Sequence, residues 1–97
     1  TDVVSVFSML ADKDVKSVTE LLKDSIQMWK IAALTVPRAA PIEQLDQALQ
    51  GQHVQHFDSV KLAFKSALDE TKNNQLILVC GSFHTLEAVW EYLEECQ

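Results

Sequence analysis

The sequence predicts an α/β fold of three layers, a mostly parallel sheet with helices on both faces. Three observations predict it. Strand-length apolar runs alternate with amphipathic helical stretches four times along the chain. One run, Leu76-Ile77-Leu78-Val79-Cys80, is continuously apolar, the pattern of a strand covered on both faces. Gly and Pro number only two each in 97 residues, which excludes linkers and fibrous repeats. With 47% apolar residues and no internal boundary, residues 1–97 read as one domain with one modest core.

Residues 2–9 form the first strand, rich in β-branched and aromatic side chains. Asp12 or Asp14 caps the helix that follows, whose buried stripe is Val15, Val18, Leu21 and Leu22, with Lys16, Thr19, Glu20 and Lys23 facing water. Residues 26–34 give the second strand, around Trp29 and Ile31. Pro37 keeps Val36 extended in a loop, and Pro41 suits the first turn of a helix that buries Ile42, Leu45 and Leu49 and stops at Gly51. Residues 53–57 are a short third strand. Asp58 or Ser59 caps a helix burying Val60, Ala63, Phe64 and Ala67, and Asn73-Asn74 turns the chain into the apolar strand. Thr85 caps the last helix, whose inner face is Leu86, Val89, Trp90 and Leu93.

Eight basic and 14 acidic side chains leave a net charge of −6, which argues against nucleic acid as a partner. No apolar run spans a bilayer, and no basic region precedes the N-terminal apolar stretch as in a secretory signal. Cys80 and Cys96, both in apolar surroundings, point to a reducing, cytoplasmic compartment rather than a disulfide scaffold.

In such sheets ligands sit beyond the carboxyl ends of the strands. That rule selects Asp12-Lys13-Asp14, Val36–Ala40 and Gly81–Thr85, which together offer cations, hydroxyls and helix N-termini suited to a carboxylate or phosphate. Each has a plainer reading. Lys13 is equally a solvated turn lysine, Arg38 a partner for loop carbonyls or an acidic neighbour, and Gly81–Thr85 a tight turn into a helix. His53, His56 and His84 lack the further ligands of a metal site. A triad of Ser82, His84 and Asp12 lacks the Gly-x-Ser-x-Gly turn, and no phosphate loop of the Gly-x-x-x-x-Gly-Lys-Ser/Thr kind occurs.

Two strings carry a resemblance: Phe7-Ser8-Met9-Leu10-Ala11-Asp12-Lys13-Asp14 and Leu78-Val79-Cys80-Gly81-Ser82-Phe83-His84-Thr85. With Trp29, Pro37-Arg38-Ala39-Ala40 and the helix from Asp58 in order between them, nearly the whole chain resembles the C-terminal domain of the bacterial dihydrofolate synthase/folylpolyglutamate synthase family. That family is similar to the Mur ligases, so the implied fold is a Rossmann-like Mur ligase C-terminal domain. The implied reaction is ATP-dependent: a carboxylate is activated as an acyl phosphate and attacked by the amine of L-glutamate. The acceptors are dihydropteroate and folyl-polyglutamates. The resemblance implies that Ser82, Lys13, Phe83 and His84 lie on the glutamate side. Asp12 and Arg38 are implied as contacts to nucleotide or carboxylate. It gives this chain no catalytic residue and no metal ligand, because ATP and Mg²⁺ are held mainly by the family's N-terminal domain.

The family's C-terminal domain opens with a strand ending in Asp-x-Ala-His-Asn-Pro and a helix, and neither is in this sequence. The expectation is therefore a domain lacking its first strand and helix, inactive alone and prone to self-association through the uncovered edge. The reading from another class is a stand-alone α/β module that binds an anion or a protein partner without catalysis.

Overall fold

The computed structural model describes residues 2–12, 14–72, 74–81 and 83–95, with the backbone but not the side chain at position 83. Four strands and four helices alternate: β1 (Asp2–Ser8), α1 (Val15–Leu22), β2 (Met28–Ala32), α2 (Ile42–Ala48), β3 (Val54–Phe57), α3 (Val60–Glu70), β4 (Gln75–Gly81) and α4 (Phe83–Glu95). All pairings are parallel and the order is β3-β2-β1-β4. The α/β class predicted from the alternation is therefore the observed one.

Side-chain alternation along the strands divides the core into two layers. Phe7, Met9, Trp29 and Ile31 meet Val15 of α1 and Leu45 and Leu49 of α2 on one face. Val4, Val6 and Ala32 meet Val60, Ala63, Phe64 and Ala67 of α3 and Val89 of α4 on the other. Phe7 and Trp29 pack edge to face with centroids 5.3 Å apart. Of the candidate caps, Asp14 accepts from the Ser17 amide and Ser59 from the Leu62 amide. Gly51 ends the α2 turn with φ +85°, a value favouring glycine. Pro41 sits one position earlier than expected, as the N-cap of α2.

Four expectations are corrected. Leu21 is 83% exposed while Thr19 is buried, because a spacing of six residues puts Leu21 a third of a turn off the arc of Val15. Thr19 tolerates burial because its hydroxyl donates to the Lys16 and Ala48 carbonyls. Thr85 is no cap: α4 begins two residues earlier, and the Thr85 hydroxyl is buried and donates to the Ser8 carbonyl at 3.0 Å. The α4 inner arc runs through Thr85, Ala88, Val89 and Tyr92, leaving Leu86, Trp90 and Leu93 exposed. Finally, β4 is an edge strand, half-buried rather than fully covered: Ile77 and Val79 pack into one core layer and Leu78 and Cys80 into the other, while Leu76 is exposed.

Candidate functional site

The loops after β1 and β2 lead to helices on one face of the sheet, whereas β4 leads to α4 on the other. The chain thus reverses its winding between β1 and β4, and the rule for such sheets puts a ligand crevice at the carboxyl ends of these neighbouring strands. Both motif-bearing loops border it. Their approach is close: a Cβ built on Gly81 would lie 1.7 Å from the Ser8 carbonyl oxygen, and Gly81 has φ +118°. Only glycine lets β4 lie against β1 at that point and still turn into α4.

The β1 and β2 loops are joined by backbone. Leu10 and Ala39 form an antiparallel bridge, the Ala11 amide donates to the Arg38 carbonyl at 2.7 Å, and the Ala40 amide donates to the Met9 carbonyl at 2.9 Å. On this frame Asp12 and Arg38 form an ion pair of 2.7 Å, both side chains more than half exposed. The structure therefore brings Asp12 and Arg38 together, and the acidic-neighbour reading of Arg38 is the observed contact. A monodentate, solvated pair leaves the remaining guanidinium N–H groups open to an anion.

His84 is exposed and borders a hollow of about 180 Å³ at the same pole, walled also by Thr35, Val36, Ser59, Lys61 and Glu87. Lys13, Ser82 and the Phe83 side chain lie outside the described residues. Among the described residues no three His, Cys, Asp or Glu side chains gather as a metal site, and His56 pairs with Asp46 at 3.0 Å. No described helix is long and apolar enough to cross a membrane. Asp14, beside the crevice loop, is held below the usual carboxylate range by hydrogen bonds from the Ser17 hydroxyl and amide.

Two polar features escaped the sequence reading. Lys30, 1% exposed, donates to Gln55, to Ser66 at 3.1 Å and to Glu70 at 2.7 Å, with the Phe57 ring 5.5 Å away. Its signal was a lone charge inside the apolar run Met28–Ala32. The Ser8 hydroxyl is fully buried without a partner, and nothing in its sequence context marks it.

The chain matches the model of the Mur ligase glutamate ligase domain over residues 1–83. It is similar to the dihydrofolate synthase/folylpolyglutamate synthase of Escherichia coli K12, 39% identical over 92 residues, or 95% of this chain and 21% of that protein. The structure of E. coli FolC in complex with ADP superposes with a TM-score of 0.92 at 38% identity, covering 99% of this chain and 23% of that one. A bifunctional folylpolyglutamate synthase/dihydrofolate synthase with Mn, AMPPNP and L-glutamate bound superposes with a TM-score of 0.88 at 32% identity, over 96% of this chain and 22% of that one. The chain thus spans about a fifth of the length of these relatives.

Proposed function

The chain belongs to the Mur ligase family as a glutamate ligase domain, and we propose that it forms one wall of the active site in an ATP-dependent, cytoplasmic ligase of folate biosynthesis. The full enzyme would join L-glutamate to dihydropteroate and to the γ-carboxyl of folyl-polyglutamates. The acceptor carboxylate would be activated as an acyl phosphate, which the glutamate amine attacks with release of phosphate. By the family resemblance, ATP and Mg²⁺ are assigned mainly to the parts of the relatives that this chain does not match.

In this reading the chain binds and orients and makes no bonds. Lys13 and Ser82 hold the incoming glutamate, Phe83 and His84 shape its pocket, and Asp12 and Arg38 contact nucleotide or carboxylate. The observation that carries the reading is the superposition, over nearly all of this chain, on enzymes holding ADP or AMPPNP with L-glutamate. The crevice loops add chemical sense, because α4 starts where an anion would sit and Arg38 presents its fork on the same side.

Kinetics test it. In the full-length enzyme, Lys13→Ala or Ser82→Ala should raise the glutamate KM or depress kcat by roughly 10- to 100-fold, the loss of one charge-assisted contact of about 1.5–3 kcal/mol. Unchanged kinetics in both would remove the site assignment. The isolated 97 residues should show no ATP-dependent ligation, and turnover by them would overturn the one-wall reading. An intact native product of this mass that binds glutamate or phosphate without turnover would favour the stand-alone module instead.

A further inference from the structure

Thr19 and Thr85 are both buried, yet they satisfy their hydroxyls differently. Thr19, midway along α1, donates to the Lys16 carbonyl of its own helix at 2.9 Å. Thr85, the third residue of α4, donates instead to the Ser8 carbonyl of β1 at 3.0 Å. Packing alone does not call for that hydroxyl, because valine has nearly the same shape and would bury there with no polar group to satisfy.

The bond joins the two walls of the crevice. Ser8 ends β1 and leads through Met9 and Leu10 into the frame, bridged to Ala39 and Ala40, that carries Asp12 and Arg38. Phe83 and His84 open α4 immediately before Thr85, and Ser82 precedes them in sequence. A helical turn is stiff, so holding Thr85 holds the opening amides and the backbone of His84 with it. Gly81 sets how closely β4 approaches Ser8, but a glycine, free to rotate, does not set the direction in which α4 leaves. A hydrogen bond is short and directional, and the Thr85 hydroxyl supplies that missing constraint.

We infer that Thr85 is a positioning residue for glutamate: its bond to Ser8 sets the spacing between the opening turn of α4 and the Asp12–Arg38 frame. The inference rests on the glutamate reading of Lys13, Ser82 and His84. An amino acid gripped from both walls needs them at one separation, and a small misplacement is enough to lose much of its binding and alignment. Thr85 touches no ligand in this role and acts through the residues that open α4. A nucleotide held mainly by other parts of the enzyme does not depend on that spacing. Loss of the bond should therefore fall on glutamate and spare ATP.

The test is steady-state kinetics of the full-length enzyme. Thr85→Val, which keeps the shape and removes the hydroxyl, should raise the glutamate KM roughly 10-fold or more, with the ATP KM moved less than about 2-fold. Thr85→Ser restores the donor and should recover most of the loss. Glu70→Ala, which removes the Lys30 counter-ion towards the amino end of the sheet, should leave the glutamate KM unchanged. A folded Thr85→Val enzyme with an unaltered glutamate KM overturns the inference. So does a rise of both KM values together, an equal effect of Glu70→Ala, or failure of serine to recover the loss, each the mark of a general loss of stability. Should the valine variant fail to fold, Thr85→Ala removes the same donor without setting a methyl group against the Ser8 carbonyl, and gives the reading. If Lys13→Ala and Ser82→Ala are also silent, the glutamate reading itself falls. If they impair ligation while Thr85→Val does not, only the positioning role is lost.

Discussion

Two ion pairs lie at opposite ends of the same sheet, each with an N···O distance of 2.7 Å: Asp12–Arg38 at the carboxyl end and Lys30–Glu70 towards the amino end. Both Asp12 and Arg38 are largely in water. The Lys30 ammonium is sealed beneath α3, with Gln55 and Ser66 completing its donors. Equal geometry with unequal burial means unequal roles, because water screens the first pair and leaves the second to hold a buried charge. The carboxyl end stays rigid by other means, the backbone bridge of Leu10 and Ala39 and the close approach at Gly81. Its charges are therefore available to a ligand without being needed by the fold.

The sharpest test of that contrast is Gly81→Ala. A methyl group cannot share space with the Ser8 carbonyl, so β4 must shift from β1; a loss of about 4 kcal/mol or more is expected, read by urea unfolding. A change under about 1 kcal/mol would show that the carboxyl end is not held by this approach.

Next comes Glu70→Ala, which leaves the Lys30 charge without its counter-ion. Because Glu70 is 60% exposed and water replaces part of its effect, the expected loss is about 1–2 kcal/mol. Adding Lys30→Met should recover much of it, and simple additivity in that cycle would break the comparison. The pair also sets a pH dependence. The Lys30 hydrogen bond and charge hold the Glu70 carboxyl below its ordinary 4.5, so its stabilisation is present above that value and disappears as pH falls through the folded-state value. Glu70→Gln should flatten this part of the acid unfolding curve.

The smallest stability effect is expected for Arg38→Ala, at most about 1 kcal/mol and less in salt. The same substitution should still weaken nucleotide or glutamate binding in the full-length enzyme. If unfolding moves as far as for Glu70→Ala, the division of labour between the two ends fails.

Most of the fold was legible because it rests on periodicity. Val60, Ala63, Phe64 and Ala67 are all buried as their spacing demands, and Trp29 and Ile31 sit at the centre of β2. The errors share one physical origin: sequence pattern says how apolar a segment is, not what lies beside it. Leu76–Cys80 reads as a strand covered on both faces and is half-buried at an edge, with Leu76 exposed, and Leu86, Trp90 and Leu93 read as core and form a flank. Strand order, a tertiary property, decides both. At the site, position was legible from the rule that places ligands beyond strand ends. The pairing of Asp12 with Arg38 was not, because it depends on two loops 26 residues apart meeting in space.

The bridge between those loops also limits the chemistry the crevice can offer. The Ala11 and Ala40 amides point inward to the Arg38 and Met9 carbonyls, so neither can donate to a bound oxygen. At these two positions recognition falls to side chains, which rotate and can be exchanged by mutation. Backbone donors at this end of the sheet include the first turn of α4, whose opening amides have no helical acceptors. A ligand bridging the crevice would thus meet an adjustable set of groups from β1 and β2 and a fixed set from β4. Changes in ligand preference should arise in the first and leave the second untouched.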